Sequence, residues 1–225
     1  MAGRRKAIMA WSSGKDSAYA LHLVRQQGDF DVVALLTTID GSARRIAMHG
    51  VPKALLDRQA VAVGLPLRKI AIPNPCPNAL YEQTMAAAMN AAKAEGIEAI
   101  IFGDLFLEDI RTYREAMLRP TGLEPVFPLW QRETGSLADE MLQAGLQATI
   151  AAVDLRRLNR GQAGRRFDAA FLASLPAGID PCGENGEFHT FVTAGPMFAH
   201  AVPVQVGPVT DRDGLAQADL LPAAA

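Results

Sequence analysis

The residues best suited to chemistry form one short run near the start of the chain, Ser12-Ser13-Gly14-Lys15-Asp16-Ser17. An apolar run at 7–11 precedes it and predicts a buried strand, and apolar residues at helical spacing follow it at 18–24. A helix that begins directly after a strand presents unpaired backbone N–H groups and the positive end of its dipole to an anion. Lys15 adds a full positive charge, and the three serines add hydrogen-bond donors. We therefore predict that residues 12–17, called the phosphate loop below, bind phosphate groups.

Two common phosphate-binding motifs do not fit this loop. A Walker A motif needs glycine at position 9, which is Met9, and Ser or Thr after its lysine, where this chain has Asp16. The dinucleotide-binding motif needs three glycines, and Gly14 is the only glycine in the loop. A capped helix start, with Asp16 or a serine as the N-cap, is the alternative that stays open.

The loop resembles the SGGxDS signature of the PP-loop ATP pyrophosphatases, which cut ATP between its α and β phosphates. Ser13 stands where the signature usually has glycine, and its Cβ restricts the backbone there. The resemblance implies that Gly103 and Asp104, directly after a strand predicted at 99–102, help to close the nucleotide pocket. Asp104 would then hold Mg²⁺ or a ribose hydroxyl, and His49, in the loop after the second strand, would lie near the adenine. An ordinary turn and a solvated histidine are the alternatives at these two places.

A second dense group of ionisable residues lies late in the chain, in the segment Cys182-Gly183-Glu184-Asn185-Gly186-Glu187-Phe188-His189-Thr190. Two carboxylates three residues apart, a histidine and glycines that permit a tight turn are typical of a functional loop. Glu184 and Glu187 are candidates to bind Mg²⁺, to hold a cationic substrate or to act as a general base. His189 is a candidate proton shuttle. The alternative is a solvated turn that leads into a strand predicted at 188–193.

This Gly-Glu-x-Gly-Glu-aromatic pattern, together with the phosphate loop, resembles the diphthine–ammonia ligase family over roughly residues 7–200. Residues 122–130 are similar to a further family segment, and Asn185 and His189 are typical of its bacterial branch. The resemblance implies ATP and Mg²⁺ as cofactors, with Asp16 and Asp104 as metal ligands. The residues to which it gives catalytic roles are Lys15, Glu184, Glu187 and His189.

The chemistry that the family implies is the formation of an amide. A substrate carboxylate attacks the α phosphate of ATP and displaces pyrophosphate, and ammonia then attacks the acyl-adenylate and releases AMP. The sequence does not name the acceptor that carries the carboxylate, because the family's protein substrate is not expected in bacteria.

Strand-like and helix-like patterns alternate along most of the chain. Predicted strands lie at 7–11, 31–37, 67–72, 99–102 and 148–153, and predicted helices lie at 18–24, 52–63, 79–95, 107–117 and 138–144. Repeated β–α units predict an α/β fold, a parallel sheet with helices on both faces. The resemblance makes this sheet Rossmann-like, of the adenine nucleotide alpha hydrolase type. Arginines cluster beyond residue 155, so we predict an ATP-binding domain at 1–154 and a small C-terminal substrate-binding subdomain at 155–225.

Composition narrows the functional classes. The chain has 225 residues, 49% of them hydrophobic, which is enough to bury a sizeable core. A net charge of −2 argues against a protein whose main task is to hold nucleic acid. No apolar run approaches the length of a membrane span, and two cysteines fit a reducing, cytoplasmic setting. An apolar C-terminal subdomain could pair with a second copy, so a homodimer stays open.

Two other functions stay open at this point. Some PP-loop enzymes thiolate tRNA through two distant cysteines, and Cys76 and Cys182 are distant in this sequence. The chain lacks the basic domain that RNA binding would call for, and both cysteines have packing as their simpler interpretation. The second alternative is a sensor that binds an adenine nucleotide without turnover.

Overall fold

The structure is a computed structural model that describes residues 3–40, 51–73 and 75–223. Within these residues, the first half of the chain forms a five-stranded parallel sheet with the order β3-β2-β1-β4-β5. Its strands are β1 (Arg5–Ala10), β2 (Phe30–Asp40), β3 (Leu67–Ile72), β4 (Ala99–Ile101) and β5 (Glu124–Val126). The order reverses at β1, so the first strand occupies the centre of the sheet and its carboxyl end lies at the topological switch point.

Helices lie on both faces of this sheet. They are α1 (Lys15–Gln27), α2 (Lys53–Val63), α3 (Asn78–Ala94), α4 (Glu108–Leu118) and α5 (Thr134–Gln143). Met9 of β1 belongs to a core cluster with Leu21 of α1 and Leu55 of α2, and its neighbour Ile8 belongs to another cluster with Met89 of α3. Successive residues of a strand point to opposite faces. The two clusters therefore confirm the predicted α/β fold.

A second sheet is built from the second half of the chain. Its strands are β6 (Gln147–Asp154), β7 (Arg166–Phe167), β8 (Phe188–Ala194), β9 (Val204–Arg212) and β10 (Leu215–Pro222), and a short helix α6 (Ala169–Ala173) follows β7. Strand β6 pairs with β8 along one edge and with β7 and β10 along the other, and every pairing is antiparallel. Strand β9 continues the sheet beyond β10.

The strand predicted at 148–153 exists as β6, but its expected place in the parallel sheet is wrong. The fifth strand of the parallel sheet is β5, only three residues long, and β6 pairs with the second sheet alone. Residues 148–154 of β6 are all buried. A continuous apolar run predicts a strand that is buried on both faces, but it does not indicate which strand it pairs with or whether the pairing is parallel. A domain boundary at 154 would separate β6 from all of its partner strands.

The described parts of the chain contain no helix with the length and apolar character that a membrane crossing requires.

Candidate active site

The two sheets meet at a cavity of about 340 Å³. It lies beyond the carboxyl ends of β1, β2 and β4, where parallel sheets of this kind place their ligands. Five of the six phosphate-loop residues line it, together with Gly103, Asp104, Glu184 and His189. Two segments that are far apart in the sequence, the phosphate loop and the loop before β8, therefore share one cavity.

The phosphate loop runs from the end of β1 into the first turn of α1. Gly14 is the N-cap in an extended conformation (φ −87°, ψ 171°), and the helix begins at Lys15. The Ser17 hydroxyl donates to the Gly14 carbonyl at 3.0 Å and lies 3.0 Å from the Ser12 hydroxyl. The Gly14 N–H donates to the same Ser12 oxygen at 3.3 Å. These contacts hold the two hydroxyls at the helix start, beside the positive end of the helix dipole.

Ser13 differs from its neighbours because it does not line the cavity. Its backbone has φ 71°, in the left-handed region that favours glycine, which explains why the PP-loop signature usually has glycine here. Its side chain is fully buried. Its carbonyl accepts hydrogen bonds from the Gln59 side chain at 3.1 Å and from the Val192 N–H at 3.0 Å. Any contact of Ser13 with a nucleotide would therefore be made by its backbone.

Lys15 is buried, with only 2% of its side chain exposed. Its Nζ lies 2.9 Å from both carboxylate oxygens of Asp16 and donates to the Cys182 carbonyl, so its three N–H donors are all engaged. The ammonium also lies 5.5 Å from the centre of the Phe188 ring. Burial alone would lower the pKa of Lys15, but Asp16 and other nearby groups reverse this and raise it. The lysine is therefore a fixed positive charge at the cavity.

Gly103 lines the cavity, and its lack of a side chain is required by its close packing against the start of α1. A Cβ at this position would lie 2.8 Å from the backbone carbon of Asp16 and 2.8 Å from the Ser17 nitrogen. Real Cβ atoms essentially never approach backbone so closely, so only glycine lets β4 lie against the first turn of α1. The role of Gly103 in closing a nucleotide pocket stays a prediction, and the contact that the structure shows is with the backbone of α1.

The predicted metal ligands are both ion-paired. Asp16 contacts Lys15, and Asp104 accepts from Arg114 at 2.5 Å and 3.0 Å. Among the described residues, no three His, Cys, Asp or Glu side chains are grouped as a metal site. The structure therefore gathers no ligand set around Asp16 and Asp104, and their role toward a metal stays a prediction.

Of the two carboxylates and the histidine in the second loop, Glu184 and His189 line the cavity. The Glu184 carboxylate accepts from the Leu105 N–H at 2.8 Å, and burial raises its pKa to about 7. Burial, helped by the Lys15 charge, lowers the pKa of His189 to about 4. At neutral pH the imidazole is uncharged, and the carboxyl exchanges its proton readily, as a general acid or base requires.

Glu187 is not brought to the cavity. It is fully buried, and its Oε1 accepts from the Asp180 N–H at 3.2 Å, from Asn185 Nδ2 at 3.1 Å and from Arg157 Nη1 at 3.2 Å. These contacts tie the two ends of the loop together and to the segment after β6. Glu187 therefore braces the loop that presents Glu184, and its position does not support the predicted catalytic role.

Sequence reasoning missed a wall of the cavity that comes from two helices. Tyr81, Met85 and Met89 of α3 and Arg114 and Met117 of α4 line it. The three α3 residues are spaced four apart and so share one helix face, which is a pattern that the sequence already shows.

The segment with His49 lies outside the described residues. The position of His49 beside the adenine therefore stays a prediction.

The two cysteines lie in different surroundings. The Cys182 thiol is buried, lies 3.4 Å from the Thr134 carbonyl, and has a pKa raised to about 12 by burial. Cys76 does not line the cavity and lies 3.5 Å from the Pro77 carbonyl. Thiolate chemistry is favoured by a lowered pKa, and burial raises that of Cys182, so this site gives no support to the sulfur-transfer alternative.

Comparison with known protein families identifies the chain. A family model described as the diphthamide synthase N-terminal domain matches residues 5–125, and one described as the diphthamide synthase C-terminal domain matches residues 133–212. The chain belongs to the diphthamide synthase family. The first family domain ends within β5 and the second begins at the N-cap of α5, so the family divides the chain between its two sheets.

Curated relatives of this diphthamide synthase family member carry one name. The diphthine–ammonia ligase of Schizosaccharomyces pombe is 30% identical over 45% of this chain and 18% of its own length. The human protein of the same name is 30% identical over 49% of this chain and 43% of its own. The mouse protein is 26% identical over 86% of this chain and 80% of its own. The matches to the first relatives thus span less than half of those proteins.

Proposed function

We propose that this member of the diphthamide synthase family is an ATP-dependent ligase that joins ammonia to a substrate carboxylate. The observation that carries the proposal is the shared cavity, in which the start of α1 lies beside Glu184 and His189. The relatives named diphthine–ammonia ligase support the same reaction class. The acceptor is proposed only as a molecule that bears a carboxylate.

The reaction would proceed in two displacements. An oxygen of the acceptor carboxylate attacks the α phosphorus of ATP, the bond to the bridging β oxygen breaks, and pyrophosphate leaves. Ammonia then attacks the acyl carbon, the bond from that carbon to the AMP oxygen breaks, and the amide forms. The proton that the attacking nitrogen loses must pass to a base.

The phosphate loop would stabilise the first displacement. Negative charge builds on the leaving pyrophosphate, and the helix dipole, the loop N–H groups and Lys15 place positive charge where it develops. A phosphate oxygen can bond Lys15 only by replacing one of the three acceptors that now hold its Nζ. The Cys182 carbonyl is the uncharged acceptor among them, so it is the one that a phosphate would displace most easily.

Glu184 is the base that we propose for the second displacement. Its pKa of about 7 leaves it partly ionised at neutral pH, able to take a proton from the attacking nitrogen and to return it to solvent. The neutral imidazole of His189 is a second acceptor in the same cavity. Asp16 and Asp104 are ion-paired, and the described part of the chain contains no group of three potential metal ligands, so the steps above involve no Mg²⁺ held by the protein.

The experiment that tests the proposal follows the products. The protein is incubated with magnesium-ATP, ammonium and a panel of small carboxylates and protein acceptors, and nucleotides and pyrophosphate are separated by chromatography. We expect AMP and pyrophosphate in equal amounts, with turnover that depends on ammonium and on one acceptor. ADP and free phosphate as products would reject this chemistry, and tight ATP binding without turnover across the panel would favour a nucleotide sensor.

A further inference from the structure

Gln59 of α2 lies directly behind the phosphate loop and is fully buried. Its Oε1 accepts from the Trp11 indole N–H at 2.9 Å, and its Nε2 donates to the carbonyls of Ser13 at 3.1 Å and Val192 at 2.8 Å. An indole can only donate and a carbonyl can only accept, so these partners leave one possible orientation of the amide. A single side chain thus links the end of β1, the phosphate loop and β8.

The residue that Gln59 holds is the strained one. Ser13 has φ 71°, which a residue with a Cβ adopts only when its surroundings impose it. Its own hydroxyl does not impose it, since within the described residues the buried Ser13 Oγ has no hydrogen-bond partner. The restraint comes instead from the two donors on its carbonyl, Gln59 Nε2 and the Val192 N–H.

Fixing this carbonyl also fixes an N–H group at the cavity. In a trans peptide the C=O of one residue and the N–H of the next point in opposite directions. With the Ser13 carbonyl held toward Gln59, the Gly14 N–H faces the opposite side, where Ser12 Oγ accepts it at 3.3 Å. Both Ser12 and Gly14 line the cavity, so a phosphate oxygen there would meet this N–H.

We propose that Gln59 is a positioning residue that holds the Ser13–Gly14 peptide with its N–H aimed at the pyrophosphate portion of ATP. The inference rests on the proposed function for the identity of the ligand. It goes beyond that function because Gln59 does not line the cavity, yet determines the geometry of the phosphate loop. Its helix, α2, carries none of the predicted site residues.

The test compares ligands that do and do not carry the β and γ phosphates. Calorimetry measures the affinity of magnesium-ATP, inorganic pyrophosphate and AMP for the wild-type protein and for Gln59→Met, which removes all three hydrogen bonds at similar volume. We expect ATP and pyrophosphate to bind about tenfold more weakly or worse, because the Ser13 carbonyl keeps only the Val192 N–H of its two donors, and AMP to change by less than about threefold. Gln162→Met is the matched control, a buried glutamine away from the cavity, and should leave all three affinities unchanged.

A rescue experiment separates positioning from general damage. Ser13→Gly removes the Cβ that disfavours the left-handed conformation, so in that background Gln59→Met should weaken ATP binding by less than about threefold. If Gln59→Met does not fold, Gln59→Ala, which leaves a polar space that water can enter to satisfy the freed carbonyls and indole N–H, gives the same comparison.

Unchanged ATP affinity in the Gln59 variant, equal losses for ATP and AMP, or no relief by Ser13→Gly would each overturn the inference. If the wild-type protein binds neither ATP nor pyrophosphate, both the proposed function and this inference are overturned. If the wild-type protein binds them and Gln59→Met binds them equally well, only this inference is overturned.

Discussion

At the scale of single residues, Lys15 combines two tasks that a substitution would remove together. Its ammonium supplies positive charge to the cavity and holds Asp16 and the Cys182 carbonyl in place. Loss of one preorganised donor at a developing charge typically costs a factor of hundreds in rate. The fixed position of Lys15, reached through burial and pairing, is what makes it preorganised.

We expect Lys15→Ala to lower the rate of pyrophosphate release by about tenfold or more, measured with magnesium-ATP and the active acceptor. Lys6→Ala changes an exposed lysine on β1 and serves as the control. Turnover near the wild-type rate in Lys15→Ala would contradict a role for this residue in the displacement of pyrophosphate.

Glu184 gives a prediction that depends on pH. A base works in its ionised form, and burial raises the Glu184 pKa to about 7, so kcat should rise as the pH increases through about 7. His189, with its pKa lowered to about 4, stays neutral above pH 6, so its titration does not change the rate in that range. We expect Glu184→Gln to bind ATP like the wild-type protein, to turn over slowly and to lose this pH dependence. A parallel loss of ATP affinity would place Glu184 in the nucleotide pocket instead.

Glu184 and Glu187 also show where sequence reasoning ends at this scale. They are three residues apart in one loop and of the same type, so sequence alone gave them the same candidate roles. The chain path decides between them, because one carboxylate reaches the cavity and the other is enclosed by Asp180, Asn185 and Arg157. Local spacing predicts that such a loop is functional, and tertiary packing determines which of its side chains meets the substrate.

At the scale of elements, the contact between β4 and the start of α1 depends on one glycine. Gly103→Ala would place a methyl group 2.8 Å from the helix backbone, so the first turn of α1 must shift. We expect this variant to lose about 1–3 kcal/mol of unfolding free energy by denaturant titration, and to bind ATP about tenfold more weakly. Gly161→Ala, at a glycine with open space around it, should change neither quantity. Equal behaviour of the two variants would mean that the phosphate loop tolerates displacement.

Elements with strong local signals were predicted correctly, and the failures have physical reasons. Helix α2 follows Pro52 and α3 ends before Gly96, as proline and glycine preferences predict. The start of α5 lies four residues before the expected position because Glu133, an uncommon N-cap, accepts from two N–H groups there. The partners of β6 could not be predicted, since strand pairing is decided by contacts between distant parts of the chain.

At the scale of the whole molecule, the two sheets share one core. A single cluster of buried side chains includes Leu21 of the first half and Phe191 of the second. Backbone and side-chain hydrogen bonds reinforce it, as when the Ala199 N–H donates to the Ala62 carbonyl of α2. The cavity lies at this junction, so the phosphate loop and the loop that presents Glu184 depend on the same packed interior.

A shared core predicts that the protein unfolds as one unit and that ATP stabilises all of it. Thermal unfolding followed by far-ultraviolet circular dichroism reports both sheets, while tryptophan fluorescence reports Trp11 and Trp130, both of which precede the strands of the second sheet, and the two curves should coincide. Magnesium-ATP at one hundred times its dissociation constant adds about 2.7 kcal/mol, which for a chain of this size should raise the midpoint by about 5–10 °C in both signals. Two separate transitions, with only the earlier or the later one shifted by ATP, would show that the halves fold independently and that the nucleotide contacts only one of them.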